Sequence, residues 1–333
     1  MTSLSNQPIP VSLPQFHAAR FIKEIGRGKE GARSLSREDA FSLYSAMLNG
    51  QVSDLEMGAI LLAMRIKGES IAEVSGFLDA AHAQALAAGE MIAALPGVPY
   101  APILIPSYNG ARKKPNLTAL LALLLAREGA PVLVHGVSHD VGRVTTLEVF
   151  AELGIDLSID SNTAHQALMQ RRLAVMAIAQ LSPKMHRLLS MRQILGVRNS
   201  THTLVKLLQV FQSPALRLSS YTHPEYRIML DEYLRTVTQN QGATLLMRGS
   251  EGETVANIGR GQQIDCYYQG RSECLREADS QLVGEPDAVP ESLDAKSTAA
   301  WIQRVMAGEV TVPANIAQQV QICLAVSRRL VPV

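Results

Sequence analysis

From residue 17 to about 93 the apolar positions recur every three or four residues, the spacing of amphipathic helices. LSREDAFSLYSAMLNG places Ser36 where an N-cap belongs, Asp39 three residues on, and Asn49-Gly50 as a stop. QVSDLEMGAILLAMRIKG follows with Ser53 as cap and Gly68 as stop, and ESIAEVSGFLDAAHAQALAAG repeats the pattern. The stretch from Leu55 to Met64 is apolar on most faces, so it needs cover on several sides. A second subunit could supply part of that cover, which predicts a homodimer.

Beyond Pro102 the rhythm changes. ILIPS, PVLVHG, LAVMAIA, ALRLSS and ATLLMRG read as short buried strands, with TALLALLLAREGA, TTLEVFAELG and HPEYRIMLDEYLRTVTQNQG as helices between or beside them. Such alternation predicts an α/β fold: a small N-terminal helical domain followed by a large α/β domain with a mainly parallel sheet. The expected division is a flexible leader over 1–16, a helical domain over 17–93 joined by helices of about 184–210, and the α/β domain over 100–333. KMHRLLSMRQILG and STHTLVKLLQVF form that helical insertion, the acidic segment 273–296 is a surface excursion, and AAWIQRVMAG and PANIAQQVQICLAVSRRL are terminal helices.

Composition is that of an ordinary globular chain, with 47% hydrophobic and 5% aromatic residues. Three cysteines without C-x-x-C spacing give neither a disulfide framework nor a zinc module and suit the cytoplasm. MTSLSNQPIPVSLPQ has no basic start and no apolar centre, so it is not read as a signal peptide. LTALLALLLA is too short to span a bilayer, so no membrane partner is expected.

The net charge of +1 conceals segregation. From Ser161 to Pro224 there is no Asp or Glu, against Arg171, Arg172, Lys184, Arg187, Arg192, Arg198, Lys206 and Arg217. From Met91 to Arg127 there is again no acid, against Arg112, Lys113, Lys114 and Arg127. Acids gather at Glu273, Glu277, Asp279, Glu285, Asp287, Glu291 and Asp294. A polyanion responds to such local fields, although blocks in sequence need not become patches on a surface.

Between a strand and a helix lies PSYNGARKKPNLT, residues 106–118, a loop with Asn109-Gly110 turn chemistry and three adjacent cations, suited to an anion. GRGKEGA lacks the G-K-[ST] ending and a preceding strand, so it is rejected as a nucleotide site. His135, at a possible pocket rim, His139 and Asp140 match no metal-ligand spacing, and no G-x-S-x-G elbow exists. In RGSEGE, Glu251 and Glu253 would point to opposite faces if the strand continued, so they read as ordinary acids of an exposed turn at least as readily as a catalytic pair.

LSREDAFSLYSAMLNGQVSDLEMGAILLAMRIKGES, the 106–118 loop, VHG at 134–136, RQILGVRN at 192–199 and RGSEGE together resemble anthranilate phosphoribosyltransferase over about residues 20–330. The resemblance implies that family's fold and dimers joined through helical domains. It also implies losses. The G-T-G-G-D loop that wraps pyrophosphate is Pro106-Ser107-Tyr108-Asn109-Gly110 here, followed only by Asn116 and Thr118 of N-x-S-T. K-H-G keeps His135-Gly136 without its lysine, and the metal-binding Asp-Glu pair falls on Glu251-Gly252.

SYNGARK, MR-x-x-x-GVRNS-x-HTL-x-K, LRLSS-x-x-HPEY and G-x-EGE-x-x-AN are similar to one branch, the YbiB-like paralogues. That resemblance implies binding of nucleic acid (DNA or RNA) through a basic groove. The expected groove residues are Arg112, Lys113, Lys114, Lys184, Arg187, Arg192, Arg198 and Lys206, with the 106–118 loop facing the 184–206 helices. A vestigial substrate pocket is expected from Ser107, Asn109, Gly110, Asn116, Thr118, His135, Arg192 and Glu251. No catalytic residue, metal or cofactor is assigned. The alternative is a glycosyltransferase or phosphoribosyltransferase of unknown acceptor using His135, Arg192, Asn116 and Glu251. A third reading is a scaffold whose basic face meets an acidic protein. Few aromatics favour contact with the phosphate backbone over base stacking.

Overall fold

Ser36 and Ser53 do cap helices. The Asp39 amide donates to Ser36 Oγ at 3.1 Å, and Ser53 forms a reciprocal capping box with Glu56. These contacts belong to a computed structural model that describes residues 16–236, 241–279, 289, 290 and 292–331. The expected leader lies outside the described residues except for Phe16, as do Glu285, Asp287 and Glu291 of the acidic segment.

The chain divides into two units, residues 1–80 and 81–333. The boundary falls inside the helix Ile71–Ala87, earlier than residue 93, and the short helices over 183–204 go with the second unit. In the first unit Arg37–Leu48 and Asp54–Lys67 bury Leu43, Tyr44, Met47, Met57, Ile60, Leu61 and Met64. Gly76 is required there. A Cβ on it would meet the Arg37 carbonyl oxygen at 2.2 Å and the Phe41 nitrogen at 2.8 Å. Buried Glu73 is satisfied by the Leu35 and Ser70 amides and by Lys67 Nζ at 2.7 Å. The other side of Asp54–Lys67 leaves Leu55, Leu62 and Ile66 exposed.

The second unit is built on seven strands: β1 (Ile103–Ser107), β2 (Val132–Gly136), β3 (Leu173–Ala177), β4 (Ala215–Tyr221), β5 (Gly242–Arg248), β6 (Ile264–Tyr268) and β7 (Arg271–Arg276). Their order is β3-β2-β1-β4-β5-β6-β7. The first five in that order are parallel, as the five apolar runs predict, and β5-β6-β7 are antiparallel. The β6–β7 hairpin escapes sequence reading because IDCYY and RSECLR mix polar and apolar residues at a sheet edge. Part of the expected surface excursion, Glu273 to Arg276, is thus a strand.

The helix Thr118–Arg127 is buried along most of its length, which is why LTALLALLLA looks membrane-like in sequence. It shares a core with Phe150, Trp301, Ile302 and Cys323 and with the alternate residues Ile103, Ile105, Val132 and Val134. No helix among the described residues is long and apolar enough to cross a membrane.

Candidate functional site

Parallel strands deliver loops to one edge, where their C-terminal ends open onto the usual binding region of an α/β sheet. Here the loop after β1 and the turn after β5 meet over β4. Ser220, on β4, donates from Oγ to the Gly252 carbonyl at 2.8 Å. Asn109 Nδ2 donates to the same carbonyl at 2.5 Å.

The turn after β5 is tight. Ser250 and Glu253 exchange backbone hydrogen bonds at 3.0 Å, Glu251 is left-handed at φ 56°, and Gly252 has φ 93°. A Cβ at Gly252 would lie 2.3 Å from Asn109 Nδ2, so only glycine fits. This geometry swings both carboxylates onto the β1 loop. Glu253 Oε1 accepts from the Asn109 and Gly110 amides at 2.8 and 2.7 Å. The two Glu251 oxygens accept from the Arg112 and Lys113 amides at 3.0 and 3.2 Å. The strand does not continue through these acids, since β5 ends at Arg248, and the reading of both as ordinary exposed acids fails at Glu253, which is buried. The loop does hold anions, and they are the chain's own.

Arginines brace the same loop. Arg198 Nη1 donates to Asn109 Oδ1 at 2.6 Å, and Arg143 Nη1 reaches the Asn109 and Gly110 carbonyls at 3.2 Å. Burial lowers the Arg198 pKa, with Arg192 and Arg143 adding repulsion. Lys206 is half-buried. Desolvation drops its pKa to about 8, while Glu253 favours its charge.

Ser107, Asn116 and Thr118 are buried in one network. Ser107 Oγ donates to Thr146 Oγ1 at 2.7 Å, Thr146 Oγ1 to Asn116 Oδ1 at 3.2 Å, and the Thr118 amide to Asn116 Oδ1 at 3.3 Å. His135 is fully buried beneath Tyr108, whose hydroxyl lies 2.6 Å from Nδ1. Desolvation, aided by Arg217, lowers its pKa to about 3, so it is neutral and lines no rim. Gly136 beside it admits no side chain, since a Cβ would stand 2.0 Å from the Ser107 carbonyl oxygen.

The eight expected groove cations separate into kinds. Arg112, Lys113 and Lys114 are exposed, and their side chains make no hydrogen bond or ion pair among the described residues. Lys184 and Arg187 are exposed on the helix Pro183–Ser190, with Lys184 bonded to Gln84. Arg192 pairs with Asp140 at 3.0 Å. Arg198 and Lys206 are half-buried, Arg198 turned to brace the loop at Asn109 and Lys206 within electrostatic reach of Glu253. Sequence reading missed Tyr108, Arg143, Thr146 and Glu253 as parts of the site. Only the S-E-G-E turn chemistry signals Glu253.

A cavity of about 580 Å³ lies beside the loop, lined by Tyr108, His139, Asp140, His186, Arg192 and His202. Its volume suits a small ligand. A divalent cation does not fit the acidic turn. Both carboxylates there are engaged by backbone amides, Gly252 between them offers no side chain, and Arg198 and Lys206 lie within electrostatic reach of Glu253.

Comparison with known proteins agrees with this geometry. Residues 19–85 match the model of the glycosyl transferase family, helical bundle domain. The fold is that of anthranilate phosphoribosyltransferase. The enzyme from Thermus thermophilus superposes with a TM-score of 0.69 at 20% identity, over 93% of this chain and 88% of that one. The Saccharomyces cerevisiae enzyme in complex with PRPP and Mg gives 0.71 at 14% identity, over 94% and 89%. In sequence, anthranilate phosphoribosyltransferase of Rhodopseudomonas palustris (strain BisA53) is 25% identical over 87% of this chain and 83% of its own. YbiB of Escherichia coli (strain K12) is 42% identical over 306 residues, 92% of each chain. The chain belongs to the YbiB-like family of anthranilate phosphoribosyltransferase paralogues.

Proposed function

We propose that the chain binds nucleic acid by its phosphate backbone, on a phosphoribosyltransferase-like scaffold. The observation that carries this reading is the 108–114 loop. Its backbone is anchored through four amides, while the side chains of Arg112, Lys113 and Lys114 stand exposed and unpaired among the described residues. Three cations on a loop whose backbone is already anchored need no loop ordering on meeting phosphates, and they release counterions when they do. Lys184 and Arg187 add exposed positive charge on a second element of the same unit. Nothing in these contacts reads a base edge, so recognition is of the backbone and indifferent to sequence. A second reading, a glycosyltransferase of unknown acceptor, draws on the cavity beside Arg192 and His202. It is the weaker because the loop amides are already occupied.

The partner includes a second copy of the chain. Leu55, Leu62 and Ile66 sit at i, i+7 and i+11 of the helix Asp54–Lys67, one exposed apolar stripe on a helix already buried on its other side.

The test is fluorescence anisotropy with mixed-sequence single- and double-stranded oligonucleotides across a salt series. The wild-type chain binds, with a salt slope of about 0.9 per neutralised duplex phosphate. Joint substitution R112E, K113E and K114E weakens binding to every sequence and flattens that slope. R328E with R329E, in the helix Ala314–Arg329, serves as control. Equal loss in both variants, or none in the loop variant, overturns the proposal.

A further inference from the structure

The β1 loop presents four backbone N–H groups to two carboxylates of its own chain: Asn109 and Gly110 to Glu253, Arg112 and Lys113 to Glu251. They form two pairs of successive amides on either side of Ala111, whose own N–H goes to the Val144 carbonyl, and such pairs make concavities suited to an anion. Two features show that the occupants are built in. Glu251 holds a left-handed backbone, uncommon for a residue with a side chain, and Gly252 is pressed against Asn109. Glu253 is buried with Oε2 lacking any hydrogen-bond partner, set instead against the charges of Arg198 and Lys206. A buried carboxylate left half unpaired is costly, so its position demands a compensating role.

We propose that Glu251 and Glu253 are an internal stand-in for a bound anion, excluding free pyrophosphate and phosphate from the loop amides and leaving only the outward side chains of Arg112, Lys113 and Lys114 for phosphates. This rests on the reading of the loop as phosphate-facing. It adds a selectivity rule, that polymeric phosphates are accepted and small free ones refused. The physical basis is effective concentration. A carboxylate tethered within the same fold competes as a local ligand at millimolar or higher concentration, and it needs no ordering on arrival. Its charge also repels an approaching anion. A polyanion avoids this competition by engaging several side chains at once without entering the amide nest.

The experiment is calorimetric titration of the full chain with inorganic pyrophosphate, run beside an oligonucleotide titration of the same samples. E251Q removes the charge while its amide oxygen can still accept from the loop. It is expected to bind pyrophosphate at least about tenfold more tightly than wild type, whose binding is weaker than about 1 mM. E251A opens both amides and gains at least as much. E232Q, at an exposed glutamate of the helix Pro224–Thr236, makes the same charge change away from the loop and leaves affinity at the wild-type value. Pyrophosphate affinity of wild type and E251Q within about twofold of each other, or equal gains in E251Q and E232Q, would overturn the stand-in. If E251Q gains pyrophosphate binding while no sample binds oligonucleotide, the nucleic-acid reading falls and the stand-in holds. Wild type that binds oligonucleotide and pyrophosphate alike gives the reverse.

Discussion

Glu253 and Asn109 are 144 positions apart in sequence, yet the carboxylate of one receives the backbone amide of the other at 2.8 Å. Because Glu253 is buried, this contact ties the ends of β1 and β5 together at low dielectric, where removing one partner strands the rest. Glu253→Ala is expected to cost about 3 kcal/mol, since it orphans two amides and leaves Arg198 and Lys206 uncompensated. Glu253→Gln, which keeps one acceptor, should cost less. Urea unfolding monitored by circular dichroism measures both, and an unchanged midpoint for Glu253→Ala would deny the clamp any energetic role.

The acid limb of stability should carry the signature of His135. Its folded pKa is lowered to about 3, mainly by desolvation, against an ordinary value of 6.5. Between these values the unfolded chain binds the extra proton, so stability rises with pH by up to about 1.4 kcal/mol per unit. The contribution is complete above pH 6.5 and is lost as pH falls toward 3. His202, lowered to about 3 by burial and Arg198, acts in the same direction. Unfolding free energies of wild type and His135→Asn compared from pH 4 to 7 should show a shallower slope in the variant; parallel slopes would mean that His135 does not titrate on unfolding.

Two glycines should resist even alanine. At Gly76 the new methyl meets the backbone of the helix Arg37–Leu48, and at Gly136 it meets the Ser107 carbonyl. Overpacking against backbone costs about 1–3 kcal/mol, and more where nothing can yield. Gly58, with open space around it, is the comparison. Thermal melts should place Gly58→Ala near wild type and both others clearly below.

Charging the stripe on the helix Asp54–Lys67 should separate the proposed dimer. Leu62→Lys with Ile66→Lys is predicted to give a monomer mass by light scattering at micromolar concentration while circular dichroism stays helical. Both side chains are exposed in the single chain, so its fold does not depend on them. A monomeric wild type removes the prediction outright.

Much of the architecture is decided locally and is readable without a structure. Ser36, Ser53 and Gly68 mark helix ends by chemistry that acts within a few residues. Five parallel strands announce themselves because strands buried on both faces must be apolar throughout, as ILIPS, VLVHG and LAVMA largely are. The hairpin β6–β7 stayed hidden, since β7 is a largely exposed edge strand under no such constraint and the buried β6, IDCYY, carries an aspartate and two tyrosines that break the apolar run. Site residues show the same divide. The loop's three cations were legible because exposed charges keep their identity whatever surrounds them. Arg198 and Lys206 look identical to them in sequence, and only folding half-buries them, Arg198 bonded to Asn109 and both within electrostatic reach of Glu253. Glu251 and Glu253 read as ordinary acids because their partners are amides more than 100 positions away, brought near by the order of parallel strands and one left-handed turn. Sequence by itself determined where the capped helices and the five parallel strands lie and that the loop suits an anion. Which anion fills it was decided by tertiary structure, for hydrogen bonds to backbone amides depend on position in space and leave no mark on the residues that donate them.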